Sequence, residues 1–229
     1  MTLIEDYGLD SPARSLLLTV LSIKDRNRKT EMDKLHIQKI IRYYEYLRQK
    51  KEIDFSNFKL GGVSYELEEN RETLMEYELI DQTNHDFFLT EEGETAAQDI
   101  MKTLSKKEYE QLVCAKQLLN DLPDDELLYF MYKTIPETKK HSTEFPRLEK
   151  KKESLVKSLF SKRKIDSCTA MKWLGISEDE FIKMFPKKKL PDNTLNLLTK
   201  GYEEGADEDL EIAKDFEAVE KELDENCDT

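Results

Sequence analysis

Apolar residues recur every three or four positions along most of this chain, the pattern of helices that bury one face. The first predicted helix begins at Ser11-Pro12, because serine caps a helix and proline suits its first position. A second helix is predicted to begin at Thr30-Glu31-Met32-Asp33, because the helix dipole favours acidic groups in the first turn. Its buried face comprises Ile37, Ile40, Ile41, Tyr44 and Leu47, and its outer face Lys34, Lys39, Arg42, Arg48, Lys50 and Lys51. We interpret that outer face as solvated, in preference to a nucleic-acid surface.

The helical pattern is interrupted in the stretch 63–93. Ser64 is predicted to cap a third helix. From Leu79 to Thr90, β-forming and aromatic residues flank the polar turn Thr83-Asn84-His85, which predicts a short β-hairpin. Thr90 is then placed to cap a fourth helix. A helix, a hairpin and a new helix in immediate succession are typical of the third helix and wing of a winged helix.

Capping signals continue through the second half of the chain. Ser105-Lys106-Lys107-Glu108 is a capping box that starts a fifth helix, and a sixth begins after Pro123. Residues 136–150 hold two prolines, many charges and few apolar anchors, which predicts a linker. Beyond it, a helix that reaches Gly175 is followed by a second capping box at Ser177-Glu178-Asp179-Glu180. This order of helix, turn and capped helix is typical of a helix-turn-helix.

These elements predict a mainly α protein with a small β-hairpin. A winged-helix domain at 1–104 is followed by a helical extension at 105–135 and a linker at 136–150. A basic helical region with the helix-turn-helix-like unit follows at 151–189, and an acidic tail at 190–229. At 229 residues the chain is long enough to bury a substantial core. For the tail, the sequence is compatible both with an amphipathic helix and with disorder.

Four short motifs carry a resemblance to a known family. They are Ile37-Gln38-Lys39-Ile40-Ile41, Leu60-Gly61-Gly62-Val63-Ser64, Glu78-Leu79-Ile80 and Leu89-Thr90-Glu91-Glu92-Gly93. In these motifs, residues 16–97 resemble the phage-associated antitoxin-like winged-helix proteins, the Panacea-domain or SocA-like group. The family pattern has phenylalanine, proline-tyrosine and glycine where this chain has Leu60, Gly62-Val63 and Glu78. The resemblance implies a non-enzymatic, prokaryote-type module that regulates or neutralises a toxin.

Charge is unevenly distributed along the chain. Of the net charge of −13, residues 1–104 carry −7, residues 105–138 carry −3, residues 139–189 carry +8 and residues 190–229 carry −11. The basic stretch has three interpretations: a solvated surface, a nucleic-acid surface, or a docking site for an acidic protein segment. Because the charges of the basic stretch and the acidic tail nearly match, our hypothesis is that the tail folds over the basic segment.

The predicted third helix is strongly acidic. Across 64–78 it carries six glutamates against a single cation, Arg71. A recognition helix in the major groove lies between phosphates, and cations normally supply most of its affinity. Six carboxylates would be repelled there, so we expect this helix to face a positively charged protein. The candidate interaction residues are Glu66, Glu68, Glu69, Glu72 and Glu76.

Two functions follow from these patterns. The first is a regulator of antitoxin-like type that acts through protein–protein interaction with a basic partner, such as a toxin-like protein. The alternative is a transcriptional regulator that binds DNA through the basic C-terminal segment, with the N-terminal module used for dimerisation or sensing, which leaves a homodimer open. The candidate nucleic-acid residues are Lys150, Lys151, Lys152, Lys162, Arg163, Lys164 and Lys172.

Motifs of catalysis and metal binding are missing from the sequence. It has no phosphate-binding glycine loop, no dinucleotide-binding fingerprint, and no H-E-x-x-H or C-x-x-C motif. His36, His85 and His141 are isolated from one another, which favours surface or packing roles over metal binding. We therefore expect no enzymatic activity, no metal and no cofactor. Three dispersed cysteines, no secretion signal and no apolar run of membrane-spanning length predict a cytoplasmic protein.

Overall fold

The computed structural model describes residues 7–185, apart from the side chains at positions 57 and 58. It is mainly helical with two small antiparallel sheets, one of three strands and one of two, and the mainly helical class is as predicted. Two compact units are present, Met1–Gly175 and Ile176–Thr229. The first unit contains α1 (Pro12–Ser22), β1 (Met32–Asp33), α2 (Lys34–Arg48), β2 (Ser56–Phe58), β3 (Gly61–Val63), α3 (Tyr65–Glu76), β4 (Ile80–Thr83), β5 (Asp86–Leu89), α4 (Glu91–Met101), α5 (Lys106–Leu119), α6 (Asp124–Thr134), a 3-10 helix (Pro136–Lys139), α7 (Phe145–Glu149), α8 (Lys152–Ser161) and α9 (Ser167–Leu174). The described part of the second unit contains α10 (Glu178–Met184).

The predicted hairpin is confirmed and gains a third strand. β4 and β5 pair antiparallel around a two-residue turn, in which Asn84 has a φ of 58°. β1 pairs with the outer side of β5, so the sheet order is β1-β5-β4. Because Met32 and Asp33 form this strand, helix α2 begins later than predicted. Its cap is Asp33, whose carboxylate accepts a hydrogen bond from the His36 amide at 2.9 Å, and the predicted opening at Thr30 is wrong.

The core of the first unit forms around α1. Leu17, Leu18 and Val20 are fully buried, and α1 packs against α3 and α4. Helix α2 packs chiefly against α5. Burial of each such side chain contributes roughly 1.5–3 kcal/mol, so these contacts hold α3 in a fixed position against the core.

The segment predicted as a linker, 136–150, is instead a packed part of the first unit. It contains the 3-10 helix and α7, and its apolar anchor Leu148 is 0% exposed, next to Ile135 at 2% just before the segment. The Ser142 hydroxyl donates a hydrogen bond to the Lys59 carbonyl at 2.9 Å, which ties the segment to the turn between β2 and β3. Widely spaced single anchors produce no periodic pattern, so a buried segment of this kind resembles a loop in sequence.

The outer face of α2 differs from the predicted solvated face. Lys39 is only 1% exposed, and its ammonium donates a hydrogen bond to the Gly62 carbonyl at 2.7 Å. The Arg48 guanidinium lies 2.6 Å from both Glu52 and Glu108 carboxylates. These cations therefore connect α2 to neighbouring segments.

The two helices of the predicted helix-turn-helix-like unit belong to different compact units. Helix α9 ends at Gly175, whose φ of 73° is the expected left-handed end, and α10 begins with the predicted capping box of Ser177 and Glu180. The acidic tail at 190–229, its hypothesised fold over the basic segment, and residues 186–189 lie outside the described residues. None of the helices within 7–185 combines the length and apolar character needed to cross a membrane.

Candidate functional site

Helix α3 is fixed by its cap and by one apolar face. The Ser64 hydroxyl accepts a hydrogen bond from the Leu67 amide at 3.2 Å, which satisfies a free N–H group at the helix start. Leu67 and Leu74 are 1% and 0% exposed, and the helix packs through this side against α1. The opposite side of α3 therefore faces away from the core.

The outward side of α3 carries three glutamates in one line. Glu69, Glu72 and Glu76 are exposed and are spaced by three and four residues, so they lie on the same side of the helix. Tyr65, which is 60% exposed, lies four residues before Glu69 and extends this line to the start of the helix. Tyr65 is absent from the predicted set, although its spacing indicates this position. We refer to these four residues as the acidic stripe.

Two other predicted interaction residues, Glu66 and Glu68, lie off this line. Glu68 accepts a hydrogen bond from Gln38 at 2.8 Å and is paired with Lys34 and Arg71. Its side chain is therefore part of the contact between α2 and α3. Glu66 is half-buried, and its carboxylate accepts a hydrogen bond from the Asp54 amide at 3.4 Å.

The single cation of α3 is withdrawn from the outward side. Arg71 is 8% exposed, and its guanidinium lies 4.4 Å from the Phe87 ring centroid and 3.1 Å from Glu68. A contact of 3.7 Å to Glu72 is the one ion pair that reaches the acidic stripe within the described residues. The carboxylates of Glu69 and Glu76 have neither a hydrogen bond nor an ion pair there. The charge on the stripe is thus nearly uncompensated.

The β4–β5 hairpin continues the acidic character. Asp81 and Asp86 are exposed, as is Glu78 in the connection from α3. His85 at the turn is exposed, and the segment 79–90 contains no lysine or arginine. A phosphate backbone would find no cation on this hairpin.

Several of the predicted nucleic-acid residues form ion pairs or hydrogen bonds inside the protein. Two of them, Lys151 and Lys162, pair with acidic residues of α6. The Lys162 ammonium lies 3.0 and 2.8 Å from the two carboxylate oxygens of Glu126. Lys151 and Arg147 both hydrogen-bond Asp125, Lys151 at 3.0 Å. The pKa of Asp125 is lowered to about 2, mainly because Arg147 hydrogen-bonds its carboxylate. The acids of α6 thus compensate part of the basic segment.

Two further lysines are also held internally. Lys164 is paired with Asp121 and donates to the Gln117 carbonyl at 3.1 Å, and Lys152 donates to the Leu174 carbonyl at 3.3 Å. The other predicted nucleic-acid residues are exposed and have no partner among the described residues: Lys150, Arg163 and Lys172. The structure therefore does not bring the seven cations together as one free basic surface.

His36 has acidic neighbours, although the sequence places it in isolation. Ligand atoms of Asp33, His36 and Asp124 lie within 4.8 Å of one another. The ring is already bound on both sides, since Nδ1 lies 2.8 Å from the Asp33 carboxylate and Nε2 lies 2.8 Å from the Leu122 carbonyl. A carbonyl only accepts, so Nε2 must donate its N–H to Leu122, which ties α2 to the loop before α6, while Nδ1 bonds Asp33 at the start of α2. A metal ion would have to displace one of these bonds.

Replacing His36 with alanine should destabilise the protein more at about pH 6 than at about pH 9, by roughly 1 kcal/mol. Burial alone would lower the pKa of His36, but the hydrogen bond and charge of Asp33 outweigh it, so the pKa is raised above 6.5. The stabilisation is therefore complete below the unfolded-state pKa and is lost as pH rises through the folded-state pKa. Urea unfolding at both pH values measures it, with His85→Ala at the exposed turn as control. Equal losses for His36→Ala at both pH values would contradict the ion pair.

Comparison of the chain with protein-family models, with curated proteins and with solved structures finds no match.

Proposed function

We propose that this protein is a non-enzymatic regulatory module of antitoxin-like type, which binds a basic protein partner through the acidic stripe of α3. In this proposal the domain predicted at 1–104 is a winged helix. The order α1-β1-α2-β2-β3-α3-β4-β5-α4 and the pairing of β1 with the hairpin support that fold. A toxin-like protein is a partner of the required chemistry.

The observation that carries the proposal is the uncompensated charge of the acidic stripe. The carboxylates of Glu69 and Glu76 have no partner among the described residues, while Arg71 lies on the packed side of the helix. Placed in a DNA groove, these carboxylates would be repelled by phosphates on both sides. Against a lysine- or arginine-rich protein, the same arrangement accelerates association and selects the partner.

The first experiment is capture of partners by the tagged full-length protein from its own host, with and without nuclease. The captured basic protein is then purified, and its affinity is measured against a charge-reversed triple variant, Glu69→Lys, Glu72→Lys and Glu76→Lys. We expect a loss of affinity of roughly tenfold or more, and a strong salt dependence for the wild type.

A matched control distinguishes the effect of the acidic stripe on affinity from the effect of the protein's overall charge. The triple variant Asp54→Lys, Glu94→Lys and Glu110→Lys makes the same charge change at exposed sites outside α3. It should retain most of the affinity. Equal weakening of both variants, or unchanged binding by the α3 variant, would refute the assignment of the stripe.

The alternative function, DNA binding through the basic C-terminal segment, is supported by the three unpaired cations Lys150, Arg163 and Lys172. A gel shift with mixed-sequence DNA at increasing salt tests it. Binding that survives physiological salt and is lost when these three residues are replaced with glutamate would favour this alternative over the first proposal.

A further inference from the structure

A groove of about 430 Å³ lies between α2, α5, α6 and α9, within the first unit. It is separate from the acidic stripe, since no residue of α3 lines it. Its volume falls in the range of roughly 300–1,000 Å³ that is usual for small-molecule sites. We refer to it as the aromatic groove, after the four rings along it: Tyr43, Tyr46, Phe130 and Trp173.

The four rings form a continuous row of contacts with two accessible ends. Tyr46 stacks on Tyr43 with ring centroids 6.1 Å apart and planes 25° apart. Phe130 meets Tyr43 edge-on at 5.5 Å and Trp173 edge-on at 5.9 Å. Tyr43 and Phe130 are buried, whereas Tyr46 is 47% exposed and Trp173 is half-buried. The inner pair therefore holds the outer two rings in place, with part of each open to a ligand.

Lysines outnumber carboxylates along the groove, with Lys133, Lys164 and Lys172 against Asp166, although the chain as a whole carries −13. Lys172 is exposed and has no partner among the described residues. The Lys133 side chain is 19% exposed and lies 3.4 Å from a Glu149 oxygen, so its charge is partly compensated. Asp166 is the carboxylate that lines the groove, and one of its oxygens already caps α9 through the Thr169 amide at 2.6 Å.

From this combination we infer that the aromatic groove binds a nucleotide unit. The base stacks on the exposed part of Tyr46, since every base offers a flat face to an aromatic ring. The phosphate lies against Lys172, with Lys133 as the second cation. The same unit is found in a free mononucleotide and in single-stranded nucleic acid, and both satisfy this chemistry. Double-stranded DNA does not, because its bases are stacked within the duplex.

Trp173 gives a direct test, because it is the single tryptophan of the chain. Its fluorescence in the full-length protein is titrated with uridine monophosphate and, separately, with a short oligouridylate. We expect saturable quenching by one or both probes. If the monophosphate binds as tightly as the oligonucleotide, the ligand is a free nucleotide; if only the oligonucleotide binds, it is a single strand.

The variants assign the binding to the groove. Tyr46→Ala should weaken binding by roughly fivefold to a hundredfold, the range for loss of one stacked base. Lys172→Glu should weaken it by roughly tenfold and reduce its salt dependence. Lys150→Glu makes the same charge change at an exposed lysine outside the groove and should leave binding nearly unchanged.

The inference is overturned if neither probe quenches Trp173 saturably. It is also overturned if Lys150→Glu weakens binding as much as Lys172→Glu, or if Tyr46→Ala binds like the wild type while remaining folded by circular dichroism. The stripe variant of α3 should bind both probes normally, so failure of the groove and failure of the proposed protein interaction are observed separately.

Discussion

Replacing Gly93 with alanine should destabilise the protein by roughly 3 kcal/mol, at the upper end of the usual overpacking cost. A Cβ atom at this position would lie 1.9 Å from the Leu79 carbonyl oxygen and 2.9 Å from its carbon. The backbone of Leu79 has little freedom to withdraw, because its carbonyl accepts from the Thr90 amide at 3.2 Å and its own amide donates to Leu74 at 2.9 Å. Urea unfolding of the variant measures the loss.

The expected sign is opposite to that of helix propensity. Within a helix, alanine is favoured over glycine by about 1 kcal/mol, so Gly93→Ala in α4 would be stabilising without the contact to Leu79. Gln98→Ala, at an exposed position of the same helix, is the matched control and should change stability by less than about 0.5 kcal/mol. A Gly93→Ala variant as stable as this control would mean that α4 does not approach Leu79 as closely as the structure indicates.

This contact also gives a physical reason for the motif Leu89-Thr90-Glu91-Glu92-Gly93. The Thr90 hydroxyl donates to the Glu78 carbonyl at 2.7 Å and accepts from the Gly93 amide at 3.1 Å, while Gly93 permits the close approach to Leu79. The motif therefore holds the start of α4 against the short connection between α3 and β4. It stabilises the fold, and it does not by itself indicate a ligand or a partner.

Local signals could be predicted from the sequence, because they depend on neighbouring residues alone. Ser64, Thr90, Ser105 and Ser177 all cap the predicted helices, and Gly175 ends α9 as expected. Elements that depend on distant partners could not be predicted in this way. β1 exists through its pairing with β5, and the segment 136–150 is ordered by contacts with residues far away in the sequence.

The sequence predicts which segments of the candidate site are acidic or basic, but it does not predict which charged side chains pair with one another. A count of residues predicts an acidic α3 and a basic segment, yet it cannot show which charges are compensated. In the structure Glu68 is paired with Arg71 and Lys34, and Glu126 is paired with Lys162. Among the predicted site residues, those whose charged groups remain free within the described part of the chain are Glu69 and Glu76 on α3 and Lys150, Arg163 and Lys172 in the basic segment.

Replacing Lys39 with methionine should stabilise the protein at about pH 6, and the gain should be smaller at about pH 9 by roughly 2–3 kcal/mol. Lys39 lies in α2, is 1% exposed and has the Gly62 carbonyl as its hydrogen-bond acceptor. Burial lowers the pKa of its ammonium from 10.5 to about 7. A buried charge that lacks an anionic partner costs stability, and an apolar side chain of similar volume removes that cost.

The pH dependence follows from the sign of the shift. Below about pH 7 the amine is protonated in both the folded and the unfolded chain, so the folded state bears the full cost of burial. Between about 7 and 10.5 the unfolded chain binds more protons than the folded one, and wild-type stability rises with pH. The pKa of Lys116 is also lowered to about 7, so this lysine contributes in the same direction, and His36 contributes in the opposite one. Lys116 and His36 are present in both the wild type and the Lys39→Met variant. The difference in stability between these two proteins therefore reports the contribution of Lys39 alone.

Urea unfolding of the two proteins at both pH values is the measurement. Lys107→Met removes the same charge from an exposed position and should show a difference of less than about 0.5 kcal/mol at either pH. Loss of the hydrogen bond to Gly62 costs about 1 kcal/mol, and since this cost is nearly independent of pH, it lowers both gains without changing their difference. A Lys39→Met variant whose effect is the same at both pH values would show that the ammonium stays protonated in the folded protein. A buried ammonium that stays protonated needs an anionic partner. The Gly62 carbonyl, which accepts the hydrogen bond of Lys39, is not an anion, so that result would contradict the environment of Lys39 described above.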